Sequence, residues 1–357
     1  MARVLHLYDD RTTPAAAAVL SELRAGRPGD LLARVGGATR ADLPPTQAVL
    51  RPMWGWRLTA APEIRRFARR HRIDVIHAWS PSAAEAAAAT DVPTLLSVAA
   101  APAARQWSAL GAAVAEGAAL VATSLPLAGH LAGRLVAATP VEVVAPAFRH
   151  HPVDPVEVRR HLGLPADGTV VFAPPQTLDD RGPVWAMWAV GILRTMGFNA
   201  HLLAGGPAAA LAAVQRFARS SRTDDRLHTI GGTPAWLGWA AADLAVLAGD
   251  RGQSATAVAQ AVANAVPVIA VDTGETGALI EHERTGWLVA ADPPRRRPQA
   301  LASAILRLAE HRDLAAALAE QAGRTHPQFM DVGGAARRWD ALYASAIDTT
   351  PAKEPVA

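Results

Sequence analysis

A chain of 357 residues, half of them hydrophobic, is long enough to bury a substantial core and favours two domains over one. Its 35 basic and 32 acidic residues leave a formal charge of only +3. Lys353 is the single lysine, so the isoelectric point near 10.1 reflects the high pKa of arginine and not a nucleic-acid footprint. The absence of cysteine excludes disulfides, thiolate catalysis and cysteine–zinc sites, and fits a reducing compartment.

The opening MARVLHLYDD enters a strand at Arg3–Tyr8 and meets two acids at once, unlike a signal peptide. A helix follows to about Arg24, with Thr12 or Thr13 as cap and Pro14 in its first turn. Strands are expected at Leu31–Val35 and Gln47–Leu50, then a helix at Pro62–Arg72 with Ile64, Phe67 and Ala68 inward. Alternation continues through strands Asp74–His77, Pro93–Val98, Ala119–Thr123 and Val141–Val144, with helices Ser82–Ala89, Arg105–Glu116 and Pro126–Val136 between them. Regular alternation of this kind predicts an α/β domain on a parallel sheet.

The Pro-rich stretch Pro146–Pro155 breaks the pattern and reads as a linker. A second alternating series has strands at Thr169–Phe172, Ala200–Ala204, Leu227–Ile230, Leu244–Leu247, Pro267–Val271 and Gly286–Val289. Its helices are placed at Val184–Met196, Pro207–Ser220, Ala255–Ala263, Gln299–Glu310 and Leu314–Gly323, before a last amphipathic helix, Gly334–Ile347, that carries Trp339 and Tyr343. The tail Thr349–Ala357 has the composition of a disordered segment. The most apolar run, Ser254–Val271, is broken by Gln260, Asn264 and Pro267 and is too poor in large side chains to span a membrane. Two Rossmann-like domains facing across a cleft are therefore expected: residues 1–147, residues 148–330, and a terminal helix at 331–348 returning across the cleft.

Several segments carry a resemblance. They are Ile73-Asp-Val-Ile-His-Ala78, Arg159-Arg-His-Leu-Gly-Leu-Pro165, Asp180-Arg-Gly182, Ala240-Ala-Ala-Asp-Leu-Ala-Val246, Ala263-Asn-Ala-Val-Pro-Val-Ile269 and Glu281-His-Glu-Arg-Thr-Gly-Trp-Leu-Val289. In order and spacing the chain resembles the GT-B glycosyltransferases, in particular the retaining family four (glycosyl transferases group 1). The resemblance implies a second domain that binds a nucleotide-sugar donor such as a UDP- or GDP-sugar, a first domain that binds the acceptor, and transfer with retention. No metal is implied.

The positions that carry chemistry in that family are altered. Its Glu-x7-Glu pair falls on Gly252 and Gln260, and its diphosphate-binding Arg and Lys fall on Gln176 and Arg181. The Gly-rich loop after the first strand is Asp9-Asp-Arg-Thr-Thr-Pro14, and Ala99, Ala147-Phe148 and Ala278 stand where a histidine, an Asn-Gly pair and an acid are expected. Gln260 retains an amide for ribose hydroxyls, worth about 0.5–1.5 kcal/mol against about 1.5–3 for a charged bond. The resemblance thus points to a donor set of Gln176, Arg181, Gly252, Gln253, Ser254 and Gln260, and an acceptor-side set of Asp9, Arg11, His77 and Trp79. The protein is either a transferase or an impaired relative acting as a binding or partner subunit.

Other readings stand beside this one. Arg181 is alternatively a solvated loop arginine beside Asp179 and Asp180, and His77 a buried structural histidine. Gly252-Gln-Ser254-Ala-Thr256 is a near miss to the Gly-x-Ser-x-Gly elbow, which would make Ser254 a hydrolase nucleophile with Asp272 and His282 or His311. The pairs Trp185/Trp188 and Trp236/Trp239 have the spacing of helical packing as well as of sugar stacking. Arg65, Arg66, Arg69, Arg70 and Arg72 form either a solvated helix face or a contact with an anionic membrane, which would place the protein in the cytoplasm at the inner membrane face.

Overall fold

The computed structural model describes residues 2–36, 46–50, 56–135, 139–175, 177, 181–231, 236–249 and 255–349. The chain divides into a first unit, Met1–Ala145 with Gly333–Ala357, and a second unit, Pro146–Val332.

The first unit begins with β1 (Val4–Tyr8), α1 (Pro14–Gly26), β2 (Leu31–Val35), β3 (Ala48–Leu50) and α2 (Trp56–His71). It continues through β4 (Val75–Ala78), α3 (Pro81–Ala88), β5 (Thr94–Val98), α4 (Trp107–Ala115), β6 (Ala119–Ala122), α5 (Leu125–Ala132) and β7 (Val141–Val143). The seven strands pair in parallel in the order β3-β2-β1-β4-β5-β6-β7, so strand order reverses between β1 and β4. Local chemistry sets the helix starts. Thr13, Ser80 and Ser124 each accept a backbone N–H from three residues on, and a proline sits in the first turn of α1, α3 and α5. One sheet face carries Leu5, Leu7, Ala33, Ile76, Leu96 and Leu120, packed with alanines of α2, α3 and α4. The other face carries His6 and His77 as cross-strand neighbours.

The second unit comprises α6 (Pro155–His161), β8 (Thr169–Ala173), α7 (Gly182–Thr195), β9 (Ala200–Gly205), α8 (Ala208–Ser220), β10 (Leu227–Ile230) and α9 (Trp236–Ala241). It closes with β11 (Leu244–Leu247), α10 (Ala255–Ala263), β12 (Val268–Val271), α11 (Glu275–Leu279), β13 (Trp287–Val289), α12 (Arg297–Glu310) and α13 (Arg312–Thr325). The last helix, α14 (Val332–Thr349), belongs almost entirely to the first unit. Six parallel strands run β10-β9-β8-β11-β12-β13, reversing between β8 and β11.

Two sequence segments quoted above bind each other here. Arg159 Nη2 lies 2.8 Å from Asp243 Oδ2, its Nε donates to the Ala241 carbonyl, and Asp243 accepts the N–H of Val170 at the start of β8. Gly238 lets α9 rest on the sheet. A Cβ there would lie 2.4 Å from the Phe172 ring, so no larger residue fits without displacing that aromatic.

Most expected elements recur within a residue or two. The sequence reading omitted the short helices α6, α9 and α11 and began α2 six residues late, because Pro62 sits inside that helix and reads as a start signal. The segment read as a linker is held inside the second unit, where the Phe148 N–H donates to the Phe329 carbonyl at 2.9 Å. No helix among the described residues is long and apolar enough to cross a membrane.

Candidate functional site

In open parallel sheets the ligand crevice lies beyond the carboxyl ends of the strands where their order reverses. Each unit has one such point.

In the second unit it lies between β8 and β11. Gln176, Gly252, Gln253 and Ser254 lie outside the described residues, but the helices that follow are described. Arg181 is the N-cap of α7 and is exposed, its carbonyl accepting the N–H groups of Val184 and Trp185. Its guanidinium has no ion-pair or hydrogen-bond partner among the described residues. It therefore stands at the positive end of a 14-residue helix, an arrangement suited to an anion. All nine residues of α10 are buried, Gln260 included. One residue into that helix, the Thr256 hydroxyl is buried with no hydrogen-bond partner among the described residues. A buried hydroxyl without a partner costs free energy, so it is a position where a ligand atom would add stability.

The Ser254 hydrolase arrangement needs an acid orienting a histidine. Among the described residues, Asp272 Oδ1 accepts the N–H of Gly274, and His282 Nδ1 accepts the N–H of Leu288. Neither His282 nor His311 hydrogen-bonds to Asp272.

In the first unit the reversal lies between β1 and β4. Asp9, just past β1, is buried; its carboxylate accepts Ser82 Oγ at 2.8 Å and the Arg11 N–H at 2.9 Å. Burial pushes its pKa up, against the hydrogen bonds from Ser80 and Ser82 that lower it. A cavity of about 20 Å³ touches Arg11, Thr13, Trp79 and Ser97, room for roughly one water. The segment Ala99–Gln106 narrows it, with Gln106 Nε2 donating to the Arg11 carbonyl. Of the four residues expected on this side, Arg11 alone is exposed.

His77 and Trp79 belong to a buried polar network. His77 Nδ1 lies 2.8 Å from Tyr343 Oη, and Nε2 lies 2.8 Å from Ser97 Oγ. Its ring stacks on Trp79 at 4.1 Å and leans on Trp339 at 4.6 Å. The Trp79 indole, which can only donate, points at His6 Nδ1. His6 Nε2 therefore carries the proton and donates to Asp30 at 3.2 Å. Arg27 pairs with Asp30 at 2.5 Å and with Asp340, and its guanidinium lies 5.1 Å above the Tyr343 ring.

Electrostatics follow from this packing. Burial holds His77 well below the ordinary histidine value, helped by the Arg27 charge and by the repulsion a protonated His6 would add, and burial lowers His6 too. Burial also raises Tyr343 well above the usual phenol range. Burial opposes the Asp30 charge, yet hydrogen bonds from His6 and Arg27 hold its pKa down. Neutral His77 and Tyr343 bind each other as fixed hydrogen-bond partners, tying α14 to β4 and β5. Sequence reasoning placed Trp339 and Tyr343 on an amphipathic helix but missed Arg27, Asp30, Ser97 and Asp340. The one available signal was an acid, Asp340, adjacent to Trp339 on the face carrying Tyr343.

Residues 177–311 match the sequence profile of the family described as Glycosyl transferases group 1. The HepE protein of Anabaena, solved in complex with UDP-glucose, superposes with a TM-score of 0.77 over 97% of this chain and 100% of its own, at 18% identity. The chain has the GT-B fold. Sucrose-phosphate synthase from Thermosynechococcus elongatus is also similar in structure to this GT-B chain (TM-score 0.73, 16% identity, 97% of this chain and 99% of the other). So is WaaG, a glycosyltransferase involved in lipopolysaccharide biosynthesis (TM-score 0.66, 13% identity, 98% and 100%). No curated protein sequence matches the chain significantly. The profile match covers the elements from α7 to α12, and so includes both Arg181 and the α10 positions.

Proposed function

We propose that this GT-B chain binds a uridine diphosphate sugar on its second unit and transfers the sugar slowly, with retention, to an acceptor hydroxyl. The observation that carries this reading is Arg181 at the start of α7, without a side-chain partner among the described residues, in a sheet whose strand order reverses at that point. In such a transfer the bond from the sugar C1 to the diphosphate oxygen breaks. A bond from C1 to the acceptor oxygen forms, the acceptor proton leaves, and UDP departs. Arg181 and the α7 N-terminus would meet the negative charge that grows on the leaving diphosphate. Gln260 supplies a neutral amide where the family has a carboxylate, and Gly252 supplies no side chain. Together these weaken hold on the sugar and ribose more than hold on the diphosphate.

Uridine is favoured because the HepE structure holds UDP-glucose. The Arg66 and Arg70 side chains of α2, with Arg72 just beyond it, support peripheral contact with an anionic membrane from the cytoplasmic side, Arg65 and Arg69 being paired with Asp91. Salt-sensitive cosedimentation with anionic liposomes is the expected result, and no binding at low salt removes that element.

Thermal-shift titration with UDP, GDP, ADP and their sugar conjugates tests the donor reading, since a ligand at 100 times its Kd stabilises by about 2.7 kcal/mol. A shift with UDP and UDP-sugar, with slow hydrolysis of the sugar nucleotide, is expected. No shift with any nucleotide sinks the proposal. A shift with no turnover favours the second reading, a nucleotide-sugar-binding partner subunit, for which the replaced Glu-x7-Glu positions are the specific observation.

A further inference from the structure

The first unit holds a cavity of about 1060 Å³ between α4, the amino ends of β5 and β6, the edge strand β7 and the last two turns of α14. Ligand crevices of parallel sheets lie at the opposite, carboxyl ends, so this cavity is separate from the switch point described above. Its walls are apolar, formed by Leu95, Val114, Leu120, Leu135, Leu342 and Ala346. Val114, Leu135 and Leu342 are only half-buried, leaving apolar surface uncovered. Small residues keep the space open, and a Cβ built on Gly111 meets nothing within 4 Å. The volume is at the top of the range of about 300–1,000 Å³ typical of small-molecule pockets.

The charges at the rim are unequal. Glu142 is paired with Arg338 at 2.8 Å. Arg134 lies 5.2 Å above the Trp107 ring and has no carboxylate within ion-pair distance among the described residues. An apolar cavity with one uncompensated guanidinium at its mouth matches a molecule with a long hydrocarbon body and an acidic head.

We infer that this cavity binds a single-chain anionic amphiphile, its hydrocarbon chain along Val114, Leu120 and Leu342 and its acid group on Arg134. A fatty acid and an alkyl phosphate share that chemistry. The test is displacement of the fluorescent fatty acid cis-parinarate from the full-length protein by palmitate, dodecyl phosphate and dodecanol. Saturable parinarate binding is expected, reversed by both acids, and the stronger of the two competitors identifies the head group. Gly111→Leu fills the cavity from a helix where leucine is a better helix former than glycine. Its thermal midpoint should hold or rise while parinarate binding weakens by about tenfold or more. Arg134→Gln should weaken palmitate and dodecyl phosphate by about tenfold and leave dodecanol unchanged. Absence of saturable parinarate binding overturns the inference. So does equal affinity in the wild type and Gly111→Leu, which would put the amphiphile elsewhere.

Discussion

At the first switch point the polar side chains are already bound to one another. Asp9 holds Ser82 and the Arg11 backbone, and Ser97 meets His77, which in turn meets Tyr343. At the second switch point Arg181 has no side-chain partner among the described residues, and the Thr256 hydroxyl is buried with none. The same strand plan therefore serves two ends. Where hydrogen bonds close on the protein itself they specify one packing, and where groups stay open they remain free to meet another molecule.

Breaking the closed side should cost most. Arg27→Ala removes the cation paired with the Asp30 carboxylate, and removal of one partner of a buried pair costs about 3–5 kcal/mol. Urea unfolding of the variant is the measurement, and a loss under about 1 kcal/mol would mean that the network is not a unit. UDP affinity should be unaffected.

Acid acts on the same side. The folded chain keeps His77 and His6 neutral, whereas the unfolded chain takes up their protons near pH 6.5. Stability is therefore full above about pH 6.5 and falls as the pH drops below it, by at most about 2.7 kcal/mol per pH unit for two groups. Asp9, whose pKa is raised, works in the opposite sense and favours the folded state as the pH falls toward the carboxylate range. Denaturation midpoints at pH 7.5 and 5.5 should show the drop, and His77→Gln should shrink it without abolishing it, since burial also holds His6, His201 and His228 below the ordinary histidine value.

The open side should respond in binding and not in stability. Arg181→Ala removes a charged hydrogen-bond donor worth about 1.5–3 kcal/mol, so UDP affinity should fall about 10- to 100-fold. Calorimetric titration reads that, with an unchanged melting point. A destabilised variant with intact UDP binding would reverse the contrast between the two points. The smallest effect is Tyr343→Phe. Losing its bond to buried His77 should lower stability by about 1–3 kcal/mol, at the low end where the ring keeps its packing on Trp339.

Alternation of strand and helix was readable because most strands are short continuous apolar runs between Gly, Pro and cap residues. Val4–Tyr8 and Val268–Val271 are buried at every position, as parallel strands must be. Arg181 was readable as a cation ahead of a helix. The role of His77 was harder. Its place on β4 was clear, but its partner Tyr343 is 266 residues away and its neighbour network closes through Asp340, 313 residues from Arg27. Periodicity carries no information about pairs at that separation. Thr256 was illegible for another reason: its interest lies in being buried without a partner, and only packing reveals that. Gly238 likewise looks like an ordinary weak point in a Trp-rich helix until Phe172 is seen beneath it.

The first unit is assembled from both ends of the chain, residues 1–145 and 333–357. During synthesis the ribosome delivers His77 long before Tyr343. At about 5–20 residues per second the gap of 266 residues lasts roughly 10–50 s. For that interval the Trp79 and His77 surface lacks the helix that covers it, while the intervening second unit emerges. Nascent chains stopped before Gly333 therefore expose to chaperones and to aggregation a surface that the finished chain covers.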